Sequence, residues 1–328
     1  MQVFINGFGR IGRSVLRAWA GGAAPDLSIA GINDIAAAEM CAYLFQYDSV
    51  FGPFPGLVTL EPGALVVNGT AIPLHRTPDI SGLDLRGVDL VMECTGRADA
   101  RAVAERGLQA GARRVLISGP SAAADLTLVL GANETQLAGQ RIVSNASCTT
   151  NALAPLARLI HQHWGIVTGS MTTIHCYTGS QPTVDAPAAD FARSRAAALS
   201  MVPTTTSAQR LVDRVLPELA GRLEGSAVRV PTASVSAVDL CVMTERPTDA
   251  AAVNTVFRTA GGVIGATDLP LVSSDLRARP ESIVMACPET RVTRGGMLRV
   301  FGWYDNEWGF SNRMLDVARL ICAEVAPA

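Results

Sequence analysis

Gln2-Val3-Phe4-Ile5-Asn6-Gly7-Phe8-Gly9-Arg10-Ile11-Gly12 joins a short apolar run, a Gly-x-Gly-x-x-Gly turn and a helical pattern that continues to about Trp19. In a chain with 30 glycines the spacing alone says little. Its position gives it meaning: it follows a predicted strand, opens a predicted helix, and Asp34 lies 22 residues beyond Gly12. In that setting Gly7 permits a tight turn and Gly9 lets a pyrophosphate approach the backbone. Gly12 lets helix and strand pack closely, with the helix N-terminus facing the phosphates. Asp34 would accept hydrogen bonds from the adenosine ribose hydroxyls and repel a 2′-phosphate. The pattern therefore predicts NAD in preference to NADP.

Outward from this turn the chain keeps the same rhythm as far as residue 147. Apolar runs at residues 27–32, Leu65-Val66-Val67, residues 88–92 and Arg114-Val115-Leu116-Ile117 read as strands, and residues 98–110 have helical composition. Strand–helix alternation predicts parallel βαβ units in a Rossmann-type, doubly wound α/β sheet. Beyond residue 147 the pattern changes. A helix over residues 148–163 precedes a strand ending at His175 and a long polar segment at residues 177–196. Longer strands follow at residues 228–230, 234–244 and 297–303, and residues 311–323 are helical again. The expectation is a cofactor-binding domain over 1–147, completed by a C-terminal helix in 311–328, and an α+β domain with a mixed or antiparallel sheet over 148–310.

Composition narrows the function classes. Apolar residues make up 48% of the 328 positions and charged residues 17%, against roughly 25% charged in ordinary soluble domains. Such a chain suits an enzyme with an extensive core, or an oligomer that hides subunit faces. A formal charge of −2 gives no reason to expect a nucleic-acid partner. All 27 basic residues are arginine, which excludes a lysine Schiff base and a lysine phosphate clamp. The seven cysteines (41, 94, 148, 176, 241, 287, 322) are scattered and lack paired metal spacing. Neither a disulfide framework nor a metal centre is expected, and a reducing cytoplasm is. No apolar run approaches the roughly 18 residues of a membrane span, and no basic segment followed by an apolar one opens the chain.

Ser144-Asn145-Ala146-Ser147-Cys148-Thr149-Thr150-Asn151 sets a cysteine at the mouth of a predicted helix, where Ser and Thr are natural caps. The positive end of the helix would favour a thiolate and lower the Cys148 pKa, and a nearby imidazole would add to this and act as base. Four histidines compete for that place. His161 and His163 fall late in the Cys148 helix and His75 in the first domain, whereas His175 ends a strand. Spacing by itself leaves the Cys148–His175 pair one reading among others, since most lone cysteines are small buried hydrophobes. Cys176 is expected to face the opposite side of its strand.

Further blocks run along the chain: Tyr47-Asp48-Ser49, residues 172–178, Val215-Leu216-Pro217-Glu218-Leu219, Arg229-Val230-Pro231-Thr232 and Trp303-Tyr304-Asp305-Asn306-Glu307-Trp308-Gly309. With Ile5 to Arg13 and residues 144–151, these resemble the phosphorylating (type I) glyceraldehyde-3-phosphate dehydrogenase family over nearly the whole chain. The resemblance implies that Cys148 attacks an aldehyde to give a hemithioacetal, with His175 as base. Oxidation by NAD would leave a thioester, which inorganic phosphate cleaves. It implies further that Thr178, Arg193 and Arg229 hold the substrate phosphate, with Arg195 as the competitor of Arg193. Ser147, Thr149, Thr206 and Ser207 would line the pocket of the attacking phosphate. On the cofactor side, Arg10 and Ile11 would meet the pyrophosphate through their amides. Arg76 and Ser118 match positions around adenosine and ribose, Asn306 the residue that holds the nicotinamide amide, and Pro187 a proline of NAD-preferring members. The loop at 177–200 resembles one that lines a neighbouring subunit's cofactor site, so a homotetramer is implied.

Departures from the family pattern cluster near substrate. Gln46 and Phe51 replace the usual Lys and His, Pro182 a lysine, Ala152 a second cysteine and Ser207 a glycine of the phosphate pocket; the stretch at 134–143 looks slightly short. An erythrose-4-phosphate dehydrogenase-like paralogue is the nearest alternative, matching Arg141-Ile142-Val143 and residues 312–316. Tyr177-Thr178 and Tyr304 keep the glyceraldehyde-phosphate pattern. A non-catalytic binding protein with the same fold is the alternative from another class, against which the intact nucleophile and base speak.

Overall fold

In the computed structural model, which describes residues 1–323, the opening run forms strand β1 (Gln2–Asn6) and the turn Gly7-Phe8-Gly9 leads into helix α1 (Arg10–Ala20). Gly7 has φ +94°, and a Cβ on it would lie 2.7 Å from the Cys94 carbonyl carbon. A Cβ on Gly12 would lie 2.1 Å from the Gly7 carbonyl oxygen. Both positions exclude a side chain, the first also by its left-handed backbone.

The first of two units comprises Met1–Leu128, Glu134–Ala146 and residues from Ser311 onward. Its strands after β1 are β2 (Ser28–Asn33), β3 (Val58–Glu61), β4 (Ala64–Val67), β5 (Thr70–His75), β6 (Leu90–Glu93), β7 (Arg114–Ile117), β8 (Leu126–Thr127) and β9 (Ile142–Ser144). The spatial order is β3-β4-β5-β2-β1-β6-β7-β9-β8, and every pairing from β5 to β8 is parallel. Runs such as Val3-Phe4-Ile5 and Leu90-Val91-Met92 are buried throughout, as strands covered on both faces require. The chain leaves β1 for β2 on one side and returns to β6 on the other. Strand order thus reverses at β1, and the crevice beyond its carboxyl end is where ligands bind in such sheets. Helices α2 (Ala38–Gln46), α3 (Arg101–Ala104) and α4 (Arg106–Gln109) belong to this unit, the last two meeting at Glu105 within the expected helical stretch.

One expectation is corrected. Leu65-Val66-Val67 is no member of the parallel series; as part of β4 it pairs antiparallel with both β3 and β5. The two-residue connections Pro62-Gly63 and Asn68-Gly69, with φ +78° at Gly63, +50° at Asn68 and +82° at Gly69, turn the chain straight back. Asn-Gly is a strong hairpin signal, and such a connection leaves no length for a crossover.

The second unit comprises Val129–Asn133 and Ser147–Phe310. Its first helix, α5 (Cys148–Trp164), is capped by Ser147 and ends at Gly165 (φ +69°). Val129–Asn133 joins this unit because Gly131 packs tightly on Pro155 and Val263, and the Arg158 guanidinium holds the Ala132 carbonyl at 3.0 Å. The strands are β10 (Ile166–Cys176), β11 (Val202–Thr204), β12 (Leu223–Val230), β13 (Ser236–Thr244), β14 (Ile264–Thr267), β15 (Ile283–Ala286), β16 (Arg291–Val292) and β17 (Met297–Tyr304). They run β11-β12-β10-β13-β17-β15-β14, with β16 on β17. β10 with β12 and β14 with β15 are parallel and the remaining pairs antiparallel, so the sheet is mixed. Helices α6 (Ala208–Val215) and α7 (Ala250–Ala260) complete the unit. Helix α8 (Trp308–Ala323) contributes to the first unit from Ser311 on; of the expected C-terminal segment, residues 324–328 lie outside the described residues. The two-part α/β architecture expected from the sequence is the one observed. Among the described residues no helix is long and apolar enough to cross a membrane.

Candidate active site

At the strand-order reversal in the first unit lies a cleft of about 260 Å³. Asn6, Gly7 and Gly9 line it at the end of β1 and just beyond, Asn33, Asp34 and Ile35 likewise at β2, Thr77 and Pro78 after β5, and Cys94, Thr95 and Arg97 after β6. Gly9 caps α1 without a side-chain hydrogen bond onto the helix amides, and a Cβ there would meet nothing within 4 Å. A positive helix end and open space over Gly9 fit a pyrophosphate, with Arg10 and Ile11 as the first two residues of the helix. The Asp34 carboxylate accepts the Phe8 amide at 2.7 Å and the Ala36 amide at 2.9 Å, which fixes it at the rim. A carboxylate keeps acceptor capacity beyond two such bonds.

Other predicted cofactor residues lie outside this lining. The Arg10 side chain pairs with Asp48 and sits 5.6 Å over the Phe51 ring, which gives the unusual Phe51 a packing role. Arg76 donates to the Ile35 carbonyl at 3.0 Å, and the Ser118 amide donates to the Glu93 carbonyl at 2.9 Å. Sequence reasoning passed over Asn6, Asn33, Thr95 and Arg97, which no motif spacing marks; their place at strand ends is what brings them to the cleft.

In the second unit Cys148 is the first residue of α5, and the Ser147 hydroxyl accepts the Thr150 amide at 3.0 Å to hold the helix start. The Cys148 sulfur lies 3.6 Å from His175 Nε2, and His175 Nδ1 lies 2.7 Å from the Cys176 carbonyl oxygen. A carbonyl only accepts, so Nδ1 carries the proton and Nε2 presents a lone pair to the thiol. The Arg229 guanidinium, 3.5 Å from Nδ1, donates instead to the same carbonyl at 3.1 Å. The competing histidines are accounted for: His161 accepts the Ile166 amide at 2.9 Å, His163 packs on Trp164, and His75 lies in the first unit beside Phe4.

The expected lowering of the Cys148 pKa is corrected. Burial pushes the thiol up to about 11, and the Thr149 hydroxyl and amide and then Arg229 only partly offset this. Burial likewise drives the His175 imidazole down to about 4, opposed by the Cys176 carbonyl and assisted by Arg229. Desolvation outweighs the donors, so the pair rests as thiol and neutral imidazole. Tyr304, missed as a site residue, packs beside the pair. Its buried hydroxyl bridges Thr149 Oγ1 and Thr173 Oγ1, each at 2.8 Å, and its ring stands edge-on to His175 at 6.1 Å.

Of the predicted anion-binding residues, the structure joins Arg229 to Thr178, whose hydroxyl takes the Arg229 guanidinium at 3.1 Å. Arg193 is close enough to lower the Arg229 pKa, after burial, and donates to Thr204 Oγ1 at 2.6 Å. Arg195 pairs with Asp185 at 2.7 Å. Thr206 accepts the Ala208 amide at 3.1 Å and Ser207 caps α6 with φ −82°, so both sit at a second helix start in this unit. That backbone is right-handed, and Ser207 stands there without strain where glycine is usual. The Thr149 hydroxyl is turned onto Tyr304 and Cys148. Pro182 holds the Ala197 amide with its carbonyl at 3.0 Å. Cys176 faces away from Cys148's partner ring: its thiol donates to Asn306 Oδ1 at 3.0 Å, and the Ser236 hydroxyl donates to the same oxygen at 3.2 Å. Two donors on Oδ1 fix the Asn306 carboxamide with its oxygen inward.

Residues 1–101 match the family model described as the NAD binding domain of glyceraldehyde 3-phosphate dehydrogenase, and residues 147–306 match that of the C-terminal domain of the same enzyme. The chain is also similar to glyceraldehyde-3-phosphate dehydrogenases of Cereibacter sphaeroides (48% identical over 324 residues) and Xanthobacter flavus (46% over 329), covering 97% of each chain in both pairs. A Pseudomonas aeruginosa protein of the same name is 47% identical over 330 residues, 98% of either chain.

Proposed function

The chain belongs to the glyceraldehyde-3-phosphate dehydrogenase family and is an NAD-dependent dehydrogenase, and from that premise we propose that it oxidises glyceraldehyde 3-phosphate to 1,3-bisphosphoglycerate at Cys148. The observation that carries this reading is the alignment of Cys148 Sγ with His175 Nε2 at 3.6 Å, the other ring nitrogen being held by the Cys176 carbonyl.

Because the resting pair is neutral, attack and proton transfer go together. As the sulfur bonds to the aldehyde carbon, its proton passes to Nε2 and a hemithioacetal forms on Cys148. Proton return from Nε2 to the developing oxyanion stabilises that adduct. NAD, when bound, supplies the acceptor for the hydride that leaves the adduct carbon, while Nε2 takes the hydroxyl proton back and later returns it to the sulfur that the thioester releases. The thioester left on Cys148 is cleaved by inorganic phosphate, which takes the acyl group and frees the sulfur. Arg229, Thr178 and Arg193 hold the substrate phosphate, for which guanidinium forks are well shaped. Ser147, Thr149, Thr206 and Ser207 form the site of the attacking phosphate, and Asn306 binds the nicotinamide amide. Gly7, Gly9, Arg10, Ile11, Gly12, Asp34, Arg76 and Ser118 bind the rest of the cofactor, within a domain of 1–147 plus 311–328. Chemistry falls to 148–310.

Homotetramer formation is part of the proposal, supported by the large apolar side chains that the 177–201 region exposes: Val184 (72%), Phe191 (94%), Leu199 (84%) and Met201 (73%). Patches of this kind mark surfaces that other subunits cover. Seven free cysteines support a cytoplasmic setting. The test is NADH formation from glyceraldehyde 3-phosphate with and without inorganic phosphate. Phosphate-dependent turnover is expected. Preferred, phosphate-independent turnover of erythrose 4-phosphate would replace this reading with the paralogue, and no turnover of either aldehyde would leave a binding role.

A further inference from the structure

Under the cofactor cleft of the first unit, the ends of four neighbouring strands are tied by side chains whose hydrogen bonds all point one way. Just past β5 the Thr77 amide donates to Asn33 Oδ1 at 2.9 Å, and the Thr77 carbonyl accepts from Asn33 Nδ2 at 3.0 Å. A backbone amide only donates and a carbonyl only accepts, so the Asn33 carboxamide has a single orientation. Its Nδ2 also donates to Asn6 Oδ1 at 2.8 Å, at the end of β1, and this orients Asn6 in turn. Asn6 Nδ2 then donates to Glu93 Oε2 at 2.5 Å, at the end of β6. The other Glu93 oxygen accepts the Thr95 amide at 2.9 Å and the Thr95 hydroxyl. Thr77, Asn33, Asn6 and Glu93 thus form one series ending on a carboxylate that meets only donors. Asn6, Asn33 and Glu93 are 6%, 3% and 3% exposed. Asn6, Asn33, Thr77 and Thr95 line the cleft, whereas Glu93 stands behind them.

We propose that Glu93 is a positioning residue for the cofactor: as an acceptor-only terminus it sets the orientation of the Asn6 and Asn33 carboxamides, and hence the donors and acceptors that the cleft floor presents to NAD. With glutamine at 93, one of the two former oxygens becomes an N–H donor. Facing Asn6 Nδ2, that donor forces Asn6 to flip, and a flipped Asn6 sets its amide nitrogen against Asn33 Nδ2. Facing Thr95, it opposes a backbone amide that cannot flip. Either way a buried polar group loses its partner, which is the costly outcome.

The series also supplies its own repair. In E93Q/N6D the new amide at position 93 donates to one oxygen of the new carboxylate at position 6, while the other oxygen still accepts Asn33 Nδ2. The remaining oxygen at position 93 keeps the Thr95 donors, so every bond is restored with one direction reversed. A carboxylate that merely braced β6 against β1 would give no such recovery in cofactor affinity. The test titrates NAD into the full-length protein by intrinsic fluorescence. E93Q and N6D should each weaken NAD binding about tenfold or more, and E93Q/N6D should recover most of it. The rate of Cys148 alkylation by iodoacetamide without NAD should be the same in all four proteins, which separates this result from any failure of the Cys148 chemistry. Parental NAD affinity in E93Q would overturn the proposal, as would a double variant no better than either single one. If E93Q does not fold, the comparison of N6D with E93Q/N6D decides, and the double variant must bind NAD more tightly.

Discussion

His175 Nδ1 donates to the carbonyl oxygen of Cys176, the next residue in the chain, at 2.7 Å. This one bond fixes the tautomer and aims Nε2 at Cys148, so the base is oriented by backbone. Orientation by a carbonyl adds no counter-charge, in contrast to a carboxylate partner. The imidazole accordingly stays hard to protonate, and in the proposed mechanism the pair works by transient proton transfer.

Replacing the base tests that directly. His175→Asn keeps a donor toward the Cys176 carbonyl but offers no strong base to the thiol. We expect kcat to fall by about 10² to 10⁴, with NAD affinity unchanged by titration. A loss smaller than tenfold would show that Cys148 ionises without help.

The pH dependence follows from the two shifts. In the NAD-free protein, alkylation of Cys148 by iodoacetamide should climb with pH toward about 11, because burial disfavours the thiolate. For stability the signs are opposite for the two groups. His175 is lowered from 6.5 to about 4, so its contribution is complete above 6.5 and is lost as pH falls through that window. Cys148 is raised from 9.0 to about 11, so its contribution is complete below 9.0 and is lost as pH rises to about 11. Urea midpoints of the parent and of Cys148→Ala should converge on the alkaline side. An alkylation profile that levels off near neutral pH would contradict the neutral resting pair.

What the sequence made legible was what local rules govern. The glycine turn, β1, α1 and the capped Cys148 helix each follow from steric or hydrogen-bonding demands within a few residues. Helix α6 and strands β14 and β15 carry no comparable signal; their short runs gain meaning only from the elements they pack on. The direction of the Cys148 shift was misread because helix-end charge is visible in a sequence and burial is not. Glu93 was missed for the same reason: Asn6, Asn33 and Glu93 are far apart in the chain and meet only through the parallel register of β2, β1 and β6.

In the proposed function Arg229 links substrate binding to the base. Arg229→Lys loses the planar guanidinium, whose Nη1 meets both Thr178 and the Cys176 carbonyl. We expect KM for glyceraldehyde 3-phosphate to rise more than tenfold, since one ammonium cannot reproduce a bidentate grip. Arg229→Gln removes a cation that lowers the His175 pKa, so the acid limb of the activity profile should move to higher pH. An unmoved limb would place the limiting ionisation elsewhere.

Asp34 offers the sharpest test of cofactor choice, because its carboxylate serves two ends at once. It accepts the Phe8 and Ala36 amides, and so shapes the glycine turn as well as the cleft rim. Asp34→Ala would leave both amides unpaired and confuse specificity with local unfolding. Asp34→Asn is the cleaner change. Its oxygen keeps one amide, the negative charge is removed, and most of the side-chain volume stays. If the charge discriminates against a 2′-phosphate, NADP affinity should rise and NAD affinity fall modestly, lowering the ratio of the two by about tenfold in paired titrations. If instead both cofactors weaken together, the carboxylate acts through the Phe8 turn, and preference for NAD must arise from the shape of the cleft.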